Sequence, residues 1–183
     1  MGYGIEQSVN SKELTPFMHR KSLAVISVLA LVLAFCGAAF IEGASTRLRR
    51  LECLSNLHAI HLSIAMYAER YNGALPESLQ QLIDSGFLTS TRALVCPGAG
   101  TSAGPKTNVS EWTDYFYVNW QQYYGTNAVP DSYPLMYDKS LSNHKGQGVN
   151  VGLVDGSVRW DPKAVWLNDF ARAHKEFNIP LPQ

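Results

Sequence analysis

The chain has 183 residues and no formal net charge at pH 7, a length that suits one modest domain with an anchoring segment. Charged residues make up 16% of it, below the ~25% of an ordinary soluble domain. This balance excludes a broad basic surface for nucleic acid, so we expect no nucleic-acid partner.

A long uncharged run dominates the N-terminal part of the chain. It extends from Ser22 to Ile41, SLAVISVLALVLAFCGAAFI, and a helix of about twenty residues crosses the hydrocarbon core of a bilayer. We therefore expect a transmembrane segment at 22–41, preceded by a disordered cytoplasmic tail at 1–19. The flanking charges nearly balance, so the positive-inside rule alone does not orient the segment.

The same run also fits a cleaved signal peptide. Gly37 to Ala39 are small residues of the kind found at a cleavage site, and Leu33 to Cys36 approach a lipoprotein cleavage box, although Phe35 is bulky there. A secreted or lipidated protein therefore stays an alternative to a retained membrane anchor.

Residues 20–72 predict one long helix, because no proline interrupts them. At about 100° per residue, one side of the helix collects an apolar stripe, which consists of Leu57, Ile60, Ile64, Tyr67, Ala68 and Tyr71. The opposite side is predicted to carry Asn56, Ser63, Glu69 and Arg70. The stripe predicts that helix residues 54–71 pack against a globular head formed by residues 73–183.

A turn and a shorter helix are predicted next. Asn72-Gly73 should end the long helix, because glycine tolerates the left-handed conformation of a helix end. Pro76 is expected in the first turn of the second helix and Gly86 at its end. The segment FLTSTRALVCP, residues 87–97, has the composition of a short strand.

The remainder of the chain is typical of a small antiparallel sheet. DYFYVNW (114–120) and YPLMYDK (133–139) are rich in aromatic residues, and GVNVGLVDGSVRW (148–160) predicts a hairpin that turns at Asp155-Gly156. A C-terminal helix is expected to start near Pro162. The predicted fold class is α+β, with a long, partly transmembrane N-terminal helix packed against an antiparallel sheet.

Two groups of residues could suggest catalysis or metal binding. His58 and His61 are neighbours on one helix face, but no acidic residue completes a known ligand pattern, so we place them at the edge of the packed face. Ser142, His144 and Asp155 could be imagined as a hydrolase triad, but no nucleophile elbow accompanies them, and the turn already explains Asp155.

Acidic and amide side chains in the later loops could hold Ca²⁺, which prefers oxygen ligands. The candidates are Asp131, Asp138 and Asn143, and we interpret them as solvated loop residues. We therefore expect no catalytic residue, no metal ligand and no cofactor, and a protein that is not an enzyme.

Three cysteines occur in the chain. Cys36 lies in the apolar run and is explained as a small buried hydrophobic residue. Cys53 and Cys96 flank the predicted helical hairpin. They could pair if the head lies in an oxidising compartment, or they could be two unrelated free thiols.

Together these features resemble the type IV pilin-like family. The resemblance extends from Ser22 to Trp160 and is closest to the major pseudopilin-like proteins of type II secretion, which share a C-terminal His-x9-Asp-Gly signature. The positions that carry it include Cys53, Asn56, Leu57, Asn72, Gly73, Pro76, Cys96, His144, Asn150, Asp155 and Gly156.

The resemblance implies a structural or secretion-associated subunit, not an enzyme. Its partners would be membrane lipid and other pilin-like subunits or the secretion machinery. It would cross the inner membrane once, with the C-terminal domain outside. In that compartment we expect Cys53 and Cys96 to form a disulfide.

The chain departs from the family at two places. Ten residues rather than nine separate His144 from Asp155, and the Gly-Phe prepilin peptidase site and the glutamate of the apolar run are missing. In the family, that glutamate is thought to pair with the terminal amine of a neighbouring subunit. These departures favour an alternative function, a non-polymerising membrane-tethered accessory module that keeps residues 1–21.

Overall fold

The structure, a computed structural model, describes residues 15–125 and 127–183, with the backbone alone at 15–24 and 39. The chain has two compact units, one that ends at Ala44 and a second, Ser45–Gln183. Most of the predicted tail, residues 1–14, lies outside the described residues. The fold is α+β, with a long N-terminal helix and a four-stranded antiparallel sheet, as the sequence predicted.

The first helix, α1, extends over Thr15–Arg70, against the predicted 20–72. Its end follows the predicted turn: Asn72 and Gly73 have φ of 55° and 86°, and the amide of Gly73 donates to the carbonyl of Ala68 at 2.8 Å. This left-handed turn satisfies a carbonyl group that the helix would otherwise leave unpaired.

Between Val25 and Ile41, α1 has no charged residue. Large side chains between Val25 and Ile41 are exposed, among them Val25, Ile26, Val28, Leu29, Leu31, Val32, Leu33, Phe35 and Phe40. The helix is long and apolar enough to span a membrane. Cys36 is exposed on it, not buried within the protein as the sequence suggested.

The second unit contains a meander of four short strands. These are β1 (Tyr115–Tyr117), β2 (Pro134–Asp138), β3 (Gly148–Leu153) and β4 (Val158–Pro162). Each pairs antiparallel with the next, so their order in the sheet is their order in the chain. The predicted hairpin is therefore present, with the turn at Asp155-Gly156 between β3 and β4.

Short helices complete the head. They are α2 (Leu79–Asp84), α3 (Val109–Trp112), α4 (Gln121–Tyr124) and α5 (Val165–Ala173), with 3₁₀ turns at Thr91–Leu94, Leu141–His144 and Lys175–Phe177. The second helix starts after Pro76 because Ser78 caps it, accepting a hydrogen bond from the amide of Gln81. The C-terminal helix starts at Val165, where the carboxyl group of Asp161 accepts from the backbone amides of Trp166 and Leu167 at 3.0 and 2.8 Å.

The prediction of a strand in residues 87–97 is wrong. This segment forms a 3₁₀ turn at Thr91–Leu94, and its polar backbone groups bond to a loop instead of to a strand. The carbonyl of Leu94 accepts from the amide of Asp114 at 3.1 Å and from the hydroxyl of Thr113 at 2.8 Å. The amide of Cys96 donates to the carboxyl of Asp114 at 2.8 Å.

The core lies between one face of α1 and the sheet. The predicted stripe supplies Leu57, Ile60, Ile64 and Tyr67 to it, all buried. The prediction of a polar side is wrong for two residues. Ser63 is buried and donates to the carbonyl of Ala59, and Asn56 donates to the carbonyl of Val95. The buried face of α1 is therefore wider than its apolar pattern indicates.

Candidate functional site

Four buried side chains with metal-binding or nucleophilic atoms meet at one end of the head. They come from four separate segments: Cys53 from α1, Cys96 from the loop after Thr91–Leu94, Asp138 from the end of β2, and His144 from the 3₁₀ turn after it. All are at most 2% exposed. One ligand-type atom from each lies within 4.8 Å of the other three.

The contacts inside this cluster are close. The sulfur of Cys53 lies 3.3 Å from Oδ1 of Asp138, and the sulfur of Cys96 lies 3.6 Å from Nε2 of His144. Nε2 of His144 also lies 3.2 Å from Oδ2 of Asp138. The cluster is thus a compact group of two sulfurs, one ring nitrogen and one carboxyl group.

Two asparagines hold the carboxyl group of Asp138. The backbone amide of Asn150 donates to Oδ2 at 2.7 Å, and the side-chain amide of Asn143 donates to Oδ1 at 3.4 Å. The side-chain amide of Asn150 donates in turn to the carbonyl of Arg50 on α1 at 3.2 Å. These bonds fix the carboxyl group and connect β3 to the same part of α1 that carries Cys53.

A tyrosine hydroxyl completes the surroundings of Cys53. The hydroxyl of Tyr115 donates to the Cys53 sulfur at 3.4 Å and lies equally far from the carbonyl of Val95. Burial first, and the nearby Cys53 second, raise the pKa of Tyr115. The tyrosine therefore acts as a neutral donor toward the sulfur.

The two thiols differ in acidity. A hydrogen bond from Cys53 lowers the pKa of Cys96 to about 6, against the opposing effect of burial and with help from His144. The same hydrogen bond, together with burial, raises the pKa of Cys53. Burial alone would lower the pKa of His144, but hydrogen bonds to Asp138 and Cys96 outweigh it and raise that pKa to about 9. At neutral pH the cluster thus pairs a Cys96 thiolate with a protonated His144.

Three kinds of chemistry use such residues: a disulfide, a Cys–His nucleophile pair and a metal centre. A nucleophile must reach its substrate, and the Cys96 sulfur is buried. The cleft beside His144, lined also by Gly98 and Asn143, has a volume of about 20 Å³, which is room for about one water molecule. Within the described residues, this cleft does not admit a substrate much larger than water.

The structure gives no support to the predicted Cys53–Cys96 disulfide, because both residues are free thiols in it. They nevertheless belong to the same cluster. The sequence predicted only a bonded pair or unrelated thiols for them, and a solvated loop residue for Asp138. Asp138 is instead fully buried.

The candidate residues His58, His61 and Asp155 do not belong to the cluster, whereas Asn143, predicted to be a solvated loop residue, is buried beside it. His58 is exposed, and His61 lies beside Gly156 of the hairpin turn. Asp155 accepts from the amide and hydroxyl of Ser157 at 2.8 and 2.7 Å, and these bonds lower its pKa. His144 pairs with Asp138 instead, so the triad that we considered and rejected is not assembled.

The positions of the family resemblance have identifiable structural tasks. Leu57 is in the core, Asn72 and Gly73 end α1, and the carbonyl of Pro76 accepts from the hydroxyl of Tyr117 at 2.7 Å. His144 and Asn150 belong to the buried cluster and its surroundings. These residues maintain the junction between α1 and the sheet.

A long apolar N-terminal helix and a small antiparallel sheet are compatible with a pilin-like fold. Comparisons of the chain with protein-family models, with curated proteins and with solved structures find no match in any of the three.

Proposed function

We propose that the chain is a membrane-anchored pilin-like subunit, structural or secretion-associated, whose helix α1 packs against helices of neighbouring subunits. Residues 22–41 would cross the inner membrane once, with residues 73–183 outside. The exposed apolar side chains between Val25 and Ile41 support the anchor, because lipid is the solvent in which such a surface is stable.

The observation that carries the proposal is a second apolar stripe on α1, within the head unit. It consists of Leu48, Leu51, Leu62 and Met66, which are 60%, 54%, 62% and 46% exposed. At about 100° per residue this stripe lies roughly opposite the buried face of Leu57 and Ile64. The helix thus has apolar side chains on two sides, and the head covers one of them.

A second helix along this stripe would account for it. Burial of a leucine or methionine side chain contributes about 1.5–3 kcal/mol relative to exposure, so a few such residues suffice to hold a helical partner. Side chains at spacings of three, four and eleven residues match the ridges by which helices pack. A helix α1 that packs one face against its own head and the other face against a neighbouring helix is what a subunit of an assembly requires.

An accessory module that never polymerises is the second candidate. It is favoured by the absence of a glutamate from the apolar run and of a Gly-Phe site before it. Without a charge to set the register between neighbouring subunits, helix packing through the second stripe would be limited to one or a few partners. The two candidates therefore differ in the size of the assembly.

Photocrosslinking in membranes of the native host tests the proposal. A crosslinking amino acid placed at Leu62 or Met66 should give adducts with other copies or other single-helix proteins. The same amino acid at exposed Arg49 should not, because Arg49 lies well outside the stripe at about 100° per residue. Leu62→Lys should remove the assembly without lowering the melting temperature of the head. Arg49→Gln is the matched control, because it changes the charge of α1 by one unit outside the stripe.

A series of adducts of increasing size would support the structural subunit. A single adduct of fixed size would support the accessory module. Equal labelling at Leu62 and Arg49 would refute helix packing through the second stripe.

A further inference from the structure

We infer that Cys53, Cys96, Asp138 and His144 together bind one zinc ion, which ties α1 to the sheet as a structural centre. The four side chains supply two sulfurs, one imidazole nitrogen and one carboxyl oxygen, all buried and mutually within 4.8 Å. These are the ligand types found at zinc sites in proteins.

Three of the distances between the ligand atoms are close to the edges of a zinc tetrahedron. Bond lengths of about 2.3 Å to sulfur and 2.0–2.1 Å to nitrogen or oxygen imply edges of about 3.6 Å for S···N, 3.3 Å for N···O and 3.5 Å for S···O. The corresponding distances are 3.6 Å from Sγ of Cys96 to Nε2 of His144, 3.2 Å from Nε2 of His144 to Oδ2 of Asp138 and 3.3 Å from Sγ of Cys53 to Oδ1 of Asp138. The carboxyl group thus faces His144 with one oxygen and Cys53 with the other, and an ion at the centre would bind one of the two.

Hydrogen bonding alone accounts poorly for the convergence on His144. Its Nε2 atom has three polar neighbours between 3.2 and 3.6 Å: Asp138, Cys96 and the side-chain amide of Asn150. One ring nitrogen offers a single donor or acceptor direction, so it serves one neighbour and leaves the others to contact it without a bond. A cation at the centre would satisfy the nitrogen, the carboxyl group and both sulfurs at once.

The ligand set selects zinc over the other common ions. Ca²⁺ and Mg²⁺ take oxygen ligands and would not use two cysteines, whereas purely soft ions do not favour a carboxylate. Four protein ligands and the absence of an accessible face, within the described residues, indicate a structural centre, since catalytic zinc keeps one position open.

The surroundings fit the way in which metal sites are held. The carboxyl group of Asp138 receives the amide of Asn150, and the sulfur of Cys53 receives the hydroxyl of Tyr115. Such outer bonds orient the ligands and tune the metal. Zinc would thereby fasten α1 to the end of β2 and to the loops before β1 and β3.

Zinc and a Cys53–Cys96 disulfide exclude each other, because the disulfide uses both sulfurs and leaves no thiolate to bind the ion. This exclusion gives the experiment two opposite outcomes. It also separates the zinc centre from the proposed assembly of α1, since the second stripe contains none of the four ligands and loss of either would leave the other measurable.

The first measurement is the zinc content of the full chain, purified untagged in detergent and dialysed against a weak chelator. We expect about one zinc per chain for the wild type. Cys96→Ser and His144→Gln should each lower the content at least about tenfold. Cys36→Ser and His58→Gln are the matched controls, because these residues lie outside the cluster, and they should keep the full content.

The second measurement replaces zinc by Co²⁺ in the wild-type chain, so that no variant needs to fold. Binding should produce an intense sulfur-to-cobalt charge-transfer band and the visible bands of tetrahedral Co²⁺, both removed by one equivalent of Zn²⁺. Removal of the metal should lower the melting temperature, and its return should restore it. The inference would be overturned by zinc-free wild-type protein whose peptide map contains a Cys53–Cys96 disulfide. Binding of Co²⁺ without the sulfur-to-cobalt band would also overturn it.

Discussion

Gly98→Ala should separate the two loops that form the buried cluster. Gly98 lies two residues after Cys96, and a β-carbon there would overlap the carbonyl oxygen of Asn143. The same β-carbon would stand 3.1 Å from the carbonyl carbon of Asn143 and 3.4 Å from Nδ1 of His144. The obstacle is backbone, which cannot rotate away as the end of a side chain can.

The magnitude follows from the displacement required. Restoring an ordinary carbon–oxygen contact of about 3.3 Å moves one loop against the other by about 1.4 Å. Forcing one extra carbon into a packed site costs about 1–3 kcal/mol. For a protein of this size that corresponds to a fall in melting temperature of about 2–12 °C. The same movement should weaken zinc binding, because Cys96 and His144 sit on the two displaced loops.

Tryptophan fluorescence is the appropriate assay for the melting temperature. All four tryptophans lie in the head unit, so their emission is independent of the apolar part of α1. Gly43→Ala is the control, because a β-carbon at Gly43 meets no atom within 4 Å. A Gly98→Ala protein that melts within about 1 °C of the wild type and keeps its zinc would refute the close approach of these loops.

Two further predictions concern the core and pH. Leu57→Ala should lower the free energy of unfolding by about 2–5 kcal/mol in urea melts, because Leu57 is fully buried. Leu62 is exposed, so Leu62→Ala should change this free energy by less than about 0.5 kcal/mol. Equal effects of the two substitutions would contradict the assignment of the two faces of α1. In zinc-free protein, the stabilisation from His144, whose pKa is raised from 6.5 to about 9, is present below pH 6.5 and lost as the pH rises through 9. The stabilisation from Cys96, whose pKa is lowered from 9.0 to about 6, is present above pH 9 and lost as the pH falls through 6. Between these limits the gain from Cys96 offsets the loss from His144, so the stability of the wild type should be nearly level. Cys96→Ser lacks the offsetting gain and should become less stable as the pH rises; a level profile for this variant would disprove the pairing.

Much of the fold could be predicted because its signals are local. The apolar run, the Asn72-Gly73 helix end and the Asp155-Gly156 hairpin each depend on a few adjacent residues, and each is present. The segment around Thr91 was misassigned because its composition suits a strand but no neighbouring strand pairs with it. Its hydrogen-bond partners come from residues near Asp114, which only the folded chain brings close.

The buried cluster could not be found from spacing. Its ligands lie on four segments separated by long stretches of chain, and zinc motifs are recognised in a sequence when two ligands are close together. Asp138 and His144 are the nearest pair, and neither is followed by a second cysteine or histidine at metal-binding distance. One available signal was that Cys53, Cys96 and His144 are all among the positions of the family resemblance.

The position of Cys53 has a mechanical consequence. Among the described residues of α1 it is the first that is buried, and the contact with the head continues from there through Tyr67. A pull along the helix axis loads this whole contact in shear, so its apolar side chains resist together, whereas a sideways pull from the N-terminal side would open them one after another. A zinc ion at Cys53 would stand at the N-terminal end of this contact, where a sideways pull begins to separate α1 from the sheet. The contact should therefore resist force along the axis of α1 better than force across it. The zinc ion should raise the resistance to force across the axis most.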